Sequence, residues 1–212
     1  MIRPLACTSL LLLALATRAA AQDPRFSRLD AETRGVVAMI LDSARVRGLP
    51  SEPLVDRALA GAAKGAPGTA IVAAVRRLAT DLSHAREALG PNASPAELDA
   101  AAAALRAGAT WDVLARLRRE RGARPIIMPL AVLADLIARG VPADTAAHAV
   151  LALAADSDDQ LVEFRRTVER DIALGTPPGV AAEGRLDSAS DYVDQGNPGP
   201  VPPGSRPRPR RP

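Results

Sequence analysis

Cysteine is almost missing from the 212-residue sequence, which contains a single one, Cys7. Cys7 lies in an N-terminal segment that we expect to be removed, so the remaining chain would carry no thiol. This excludes disulfide bonds, cysteine nucleophiles and cysteine-ligated zinc from the rest of the protein. Without disulfides, an exported domain is stabilised by the burial of apolar surface, and about 165 residues are enough for one such domain.

Aromatic residues are also rare, since the sequence has one Trp, one Tyr and two Phe. Only Trp111 and Phe164 lie well inside the chain. Grooves that bind sugars, single-stranded nucleic acids or proline-rich peptides are usually lined by aromatic faces. We therefore do not expect this protein to belong to any of these three classes.

Histidine is scarce too, and His84 and His148 are the only two in the chain. Their neighbours give no indication of a catalytic dyad with a carboxylate. The sequence contains no Gly-x-Ser-x-Gly, phosphate-loop, dinucleotide-binding or His-Glu-x-x-His motif. We expect a protein that is not an enzyme and that uses no cofactor and no metal.

The densest acidic cluster covers residues 156–159, with Glu163 one turn further on. A helix–loop–helix calcium site needs glycine at the sixth position and glutamate at the twelfth. Counted from residue 156, these positions hold Leu161 and Thr167, so the calcium pattern fails. The cluster fits the start of a helix better, because acidic side chains are favourable there. An enzyme of unrecognised type would have to depend on these carboxylates.

Net charge is small, although the sequence pI is about 9.9. The chain has 27 basic and 24 acidic residues, but Arg3 and Arg18 lie in the N-terminal segment and the tail adds further arginines. The body between them is close to neutral. Because proteins that hold nucleic-acid phosphates need a clustered excess of cations, we do not expect a nucleic-acid partner.

The densest basic run of the body consists of Arg116, Arg118, Arg119, Arg121 and Arg124. One interpretation is a surface that binds anions, such as lipid head groups, an acidic wall polymer or an acidic protein partner. The other is the basic C-terminal end of a helix, which is favourable next to the helix dipole, followed by a solvated loop. The sequence leaves both interpretations open.

The N-terminus predicts export through a signal peptide of residues 1–21. A cation at Arg3 precedes an apolar stretch, Leu5–Ala16, and small residues then fit a signal peptidase. We expect cleavage between Ala21 and Gln22. The apolar stretch is shorter than the roughly 20 residues of a bilayer span, so we expect a periplasmic or extracellular mature chain without a transmembrane segment. The abundance of alanine and arginine is typical of a GC-rich bacterial genome.

Alanine and leucine recur at helical spacing through the body, which predicts an all-α domain over residues 22–186. The expected nine short helices cover residues 29–47, 52–64, 67–89, 95–107, 110–121, 127–139, 142–155, 158–174 and 177–186. The expected core includes Val36, Ile40, Leu54, Ile71, Val75, Leu78, Leu98, Leu105, Leu114, Leu130, Leu133, Leu136, Val150 and Leu161. Residues 187–212 are rich in proline and arginine and predict a disordered tail.

A Gly-x-Pro turn recurs at residues 48–50, 65–67, 140–142 and 175–177, with a degenerate copy at 108–110. This recurrence predicts degenerate helical hairpins, arranged as an irregular array or as a multi-helix bundle whose turns converge on one solution. We therefore expect an exported, non-catalytic helical scaffold or interaction protein of unknown partner. The alternatives are an envelope-associated anion binder, which uses the arginine run and the tail, and an enzyme of unrecognised type.

Overall fold

The computed structural model describes residues 24–155 and 157–194, so residues 1–23, Asp156 and residues 195–212 lie outside the described residues. The predicted signal peptide and its cleavage site between Ala21 and Gln22 fall in the first of these segments. In the described part, a 3₁₀-helix at Pro24–Arg28 precedes nine α-helices, and the secondary structure is all-helical as predicted. The helices are α1 (Ala31–Val46), α2 (Glu52–Ala63), α3 (Gly68–Leu89), α4 (Pro95–Ala107), α5 (Trp111–Arg121), α6 (Ile127–Ala138), α7 (Ala143–Ala154), α8 (Asp158–Ala173) and α9 (Pro178–Asp194).

Helices α1 to α8 begin and end within two residues of the predicted positions. Helix α9 differs, because it continues to Asp194 instead of ending at residue 186. The stretch after residue 186 contains no glycine or proline before Gly196, so nothing in the sequence stops the helix earlier. The predicted tail therefore begins inside α9. Among the described residues no helix is long and apolar enough to cross a membrane.

The helices pack in two layers, and helices that are next but one in the chain are neighbours within a layer, with the exception of α2 and α4. The odd layer contains the pairs α1–α3, α3–α5, α5–α7 and α7–α9, and the even layer contains α4–α6 and α6–α8. Contacts between layers include α2–α3, α3–α4, α6–α7 and α8–α9. The core lies between the layers, where alanine allows close approach and leucine fills the remaining space.

Five helices end in the same hydrogen-bonded turn. In each turn the glycine N–H donates to the carbonyl three residues earlier at 2.9–3.1 Å, and the next N–H donates to the carbonyl five residues earlier at 2.9–3.0 Å. This is the Schellman motif, whose glycine needs a positive φ, here between 67° and 119°. The glycines are those of the predicted turns: Gly48, Gly65, Gly108, Gly140 and Gly175.

Outside α1 the core prediction is confirmed. Every predicted residue in the other helices is buried except Leu105, which is half-buried and packs against the core. Inside α1 the prediction of Val36 is wrong, and Ile40, like Leu105, is half-buried against the core. The buried face of α1 consists of Val37, Leu41 and their neighbours, and it leaves Val36 and Ile40 only half-buried. Helix α1 carries two adjacent apolar stripes at helical spacing, and the sequence does not say which of them faces the core.

Candidate functional site

The two histidines lie on different helices, His84 on α3 and His148 on α7, and both are exposed. Within the described residues, no three His, Cys, Asp or Glu side chains form a group that would hold a metal ion. The acidic cluster begins α8, where the Ser157 hydroxyl accepts a hydrogen bond from the Gln160 N–H at 3.3 Å. Asp156 lies outside the described residues.

The arginine run occupies the last turns of α5 and the loop that follows, and three of its members contact other parts of the chain. Arg118 donates to the Glu97 carboxylate of α4 at 2.5 Å. Arg121 is 6% exposed; it donates to the Ala154 carbonyl at 3.1 Å and pairs with Asp158 at 2.8 Å. Arg124 donates to the Ala155 carbonyl at 3.2 Å. These three arginines connect α5 and its loop to α4, α7 and α8.

The other two arginines of the run face solvent. Arg116 pairs with Glu120 one turn further along α5, at 2.7 Å. Arg119 is exposed and has no polar partner among the described residues. The run therefore does not form one continuous cationic surface, because the side chains at its centre are directed at carbonyl groups and carboxylates of the same chain.

Glu97, which accepts the hydrogen bond from Arg118, is buried, with 7% of the residue exposed. It forms a capping box with Ser94, whose backbone N–H donates to it at 2.9 Å. It also accepts from Arg118 and from the backbone N–H of Ile126 at 3.2 Å, at the start of α6. One carboxylate thus joins the ends of three helices.

Burial opposes the ionisation of Glu97, but hydrogen bonds from the Ser94 N–H, Arg118 and the Ile126 N–H outweigh it, and the pKa is lowered. The carboxylate stays ionised at neutral pH and has no proton to donate. Its oxygens are already engaged, so it is poorly placed to act as a general base. A groove of about 580 Å³ lies beside the Glu97–Arg118 pair and is lined by loop residues and by Ile127.

A second depression runs along the outer side of α1 and α3, on the odd layer. It consists of two connected parts of about 290 Å³ and 390 Å³, which share Val36 and Arg76. We call it the α1/α3 groove. Its other residues are Asp30, Glu32, Thr33, Met39, Ile40, Ser43 and Arg47, with Pro67, Gly68, Thr69, Val72, Ala79 and Thr80 from the α3 side.

The two helices that form the α1/α3 groove are held together at both ends. At the first end, Gly68 lies so close to α1 that a β-carbon there would overlap the Thr33 hydroxyl. The same hydroxyl donates to Asp30, the N-cap of α1, at 2.6 Å. At the far end, Arg47 donates to the Ser83 hydroxyl of α3 at 3.0 Å. The helices are therefore parallel, and the groove follows their whole shared length.

The middle of the groove is apolar except for Arg76. Met39 is 65% exposed, and Val36, Ile40 and Val72 are half-buried. Val36 and Ile40 are the two residues of α1 that the sequence predicts to lie in the core. The sequence signal for this groove is thus the second apolar stripe of α1, which only the structure separates from the core stripe.

No family model, curated protein or solved structure matches this chain. The groove next to Glu97 has ionic groups that already bind each other, whereas the α1/α3 groove presents apolar side chains and an arginine, Arg76, without a polar side-chain partner among the described residues. The α1/α3 groove is the better candidate for a binding site.

Proposed function

We propose that this chain is an exported, non-catalytic interaction protein, built as an irregular stack of helical hairpins and acting in the periplasm or outside the cell. The observation that supports the hairpin interpretation is the shared Schellman turn of five helices, combined with packing between helices that are next but one in the chain. Proteins of stacked hairpins present long helical surfaces, and they commonly act by binding partners on those surfaces.

The spacing of the turns supports an irregular array. Their glycines lie at 48, 65, 108, 140 and 175, so the hairpins have unequal lengths. Helix α3 has 22 residues, whereas α5 has 11. Helix α3, the longest of these helices, also forms one wall of the α1/α3 groove.

The contacts made by the buried charged side chains favour a non-catalytic role. Glu97 and Arg121 are the charged residues that are most deeply buried in the described part of the chain, and each is engaged in joining helix ends. A catalytic acid or base usually keeps a proton or a lone pair that is available for transfer and faces a cleft. Here the exposed surface contributes large apolar side chains instead, among them Met39, Trp111 and Val180.

Selection of a displayed peptide library on the purified chain tests this function. We expect enrichment of peptides that share one pattern, with binding lost when one exposed apolar residue is changed to glutamate. The substitutions are Met39→Glu, Trp111→Glu and Val180→Glu, made singly so that each serves as a control for the others. Failure to enrich any peptide, or a reproducible turnover in a hydrolase screen that is lost on replacing one carboxylate, would contradict the proposal.

A further inference from the structure

We propose that the α1/α3 groove binds an acidic amphipathic helix of a partner protein. This inference rests on the proposed function and names the kind of partner and the surface that receives it. Three properties of the groove favour such a partner: its length, its apolar floor and the position of its arginines.

The length of the groove fits a helix. Its α1 wall extends from Glu32 to Arg47, which corresponds to roughly 22 Å at 1.5 Å per residue. About four turns of a helix have this length. A helix that lies in a groove places apolar side chains at positions i, i+3 or i+4, and i+7 on one face.

The floor supplies the apolar surface that such a helix would bury. Val36 and Met39 are not part of the hydrophobic core, and Ile40 and Val72 pack against the core with part of their surface still open. Met39 is unbranched and flexible, so it can adapt to the side chains of a partner. Covering these four residues would remove them from water at little conformational cost to the rest of the chain.

The charges favour an acidic occupant in the part of the groove between Val36 and Arg47. Arg76 lies at the junction of the two parts of the groove, and its guanidinium has no polar partner among the described residues. Arg47 lies at one end, while Asp30 and Glu32 lie at the other. The part that lies between Val36 and Arg47 is lined by no acidic side chain. A carboxylate of a partner helix next to Arg76 would form a charge-assisted hydrogen bond.

A second copy of this chain is the alternative occupant. A two-fold axis through the middle of the groove would bring Arg76 close to the Arg76 of the other copy, and like charges in such a position are destabilising. The same axis would bring Arg47 of each copy towards Asp30 and Glu32 of the other, which is attractive. A heterologous partner with carboxylates avoids the central repulsion, and the oligomeric state of the chain tests the second copy.

Two synthetic peptides test the inference on the chain as purified, with its C-terminus intact. Both are about four turns long and carry one leucine stripe, and their flanking positions hold glutamate in the first peptide and lysine in the second. Fluorescence anisotropy is expected to give a dissociation constant at least about tenfold lower for the glutamate peptide, a difference of about 1.4 kcal/mol. The difference should shrink as salt is added.

Four variants locate the binding. Arg76→Glu should reverse the preference between the two peptides, whereas Arg77→Glu, which changes the exposed neighbour outside the groove, should leave it unchanged. Met39→Glu should weaken binding of the glutamate peptide, and Val180→Glu, an equally exposed apolar position on α9, should not. Circular dichroism of each variant checks that the helices remain folded.

The inference is overturned if the glutamate peptide does not bind, or if Arg76→Glu and Met39→Glu leave its binding unchanged. It is also overturned if sedimentation gives a dimer that Met39→Glu dissociates, because the groove would then be covered by a second copy. Library peptides that bind another surface would contradict this inference and leave the proposed function standing. Absence of any binding peptide would contradict both.

Discussion

The Nη2 atom of Arg118 in α5 lies 2.5 Å from the Oε1 atom of Glu97 in α4, and the same carboxylate accepts the Ile126 N–H at the start of α6. The two residues are 21 positions apart in the sequence. Their contact joins helices of both layers at a point where the connecting loops share no repeated turn. The Schellman turns fix where single helices end, and this ion pair fixes how the ends of neighbouring helices meet.

Replacing Glu97 with alanine should destabilise the protein by roughly 2–4 kcal/mol. The substitution leaves the Arg118 guanidinium and the Ile126 N–H without their acceptor, and breaking a buried pair by removing one partner costs about 3–5 kcal/mol. We place the expected range lower because the Arg118 side chain is 21% exposed. Urea denaturation followed by circular dichroism measures the change.

The matched control is Glu120→Ala, which removes the partner of Arg116 on the surface of α5. An exposed pair of this kind contributes only about 0.3–0.5 kcal/mol. Equal losses of stability in the two variants would show that the Glu97 contacts contribute no more than an exposed ion pair.

Glu97 should also make stability depend on pH in the acid range. Its pKa in the folded protein is below the ordinary value of 4.5, because hydrogen bonds to the carboxylate outweigh its burial. A lowered pKa contributes stability above the ordinary value, and this contribution is lost as the pH falls through the folded pKa. The free energy of unfolding should therefore decrease from about pH 5 to about pH 3, and less steeply in Glu97→Gln.

The decrease should not vanish in Glu97→Gln. The pKa of Asp171 is lowered by its hydrogen bonds from Arg185, and that of Asp30 by its hydrogen bonds from Thr33. Both carboxylates also lose stabilising hydrogen bonds when they are protonated, so each lowers the free energy of unfolding as the pH falls. A variant with the same pH profile as the unsubstituted chain would contradict the role given to Glu97.

Gly68→Ala should destabilise the protein by about 1–3 kcal/mol, the usual cost of overpacking. A β-carbon at this position would overlap the hydroxyl of the buried Thr33, which is fixed by its hydrogen bond to Asp30. Gly35→Ala is the control, since a β-carbon there meets nothing within 4 Å. In the control, alanine should raise the melting temperature, because it is a better helix former than glycine.

A second substitution separates steric overlap from a change in helix propensity. In the Thr33→Ala background, Gly68→Ala should cost less than it does alone, since the hydroxyl that it meets has been removed. Strictly additive effects of the two substitutions in thermal unfolding would mean that their side chains do not interact.

The features that the sequence predicts well are local ones. The Gly-x-Pro turns and the capping box Ser94–Glu97 depend on residues within a few positions of each other, and the structure has the helix ends that they indicate. The apolar residues of α3 recur at helical spacing from Ile71 to Leu89, so local periodicity alone indicates the buried face. Its Ile71 and Val75 are buried as predicted.

The features that the sequence does not predict depend on distant residues. The arginine run is the same in sequence whether its side chains face solvent or other helices. Arg121 is buried because α7 ends and α8 begins beside it. Likewise, Val36 and Val37 are both apolar and adjacent, and only the position of α3 decides which one is covered.

Export gives a prediction that depends on the sequence alone. Expression of the full gene in a bacterial host should yield a periplasmic or secreted chain that begins at Gln22, as measured by intact mass and N-terminal sequencing. Ala21→Arg should leave the precursor uncleaved, because the signal peptidase requires a small residue at this position. A chain that retains residues 1–21 in the unsubstituted protein would contradict the predicted cleavage site.

The arginine run should divide into structural and solvent-facing members. Arg121→Gln removes a buried cation from the Ala154 carbonyl and Asp158, and we expect a loss of roughly 2–4 kcal/mol in urea denaturation. Arg119→Gln should change stability by no more than about 0.5 kcal/mol, since Arg119 is exposed and has no polar partner among the described residues.

The same substitutions test the anion-binding alternative for this run. If anions bind there, Arg116→Gln with Arg119→Gln should weaken binding to vesicles that contain anionic lipid at low salt, while the fold remains intact by circular dichroism. Binding at low salt that does not change in this double variant would place the anion site elsewhere, since Arg118, Arg121 and Arg124 are occupied by contacts within the chain. Absence of binding would exclude the alternative.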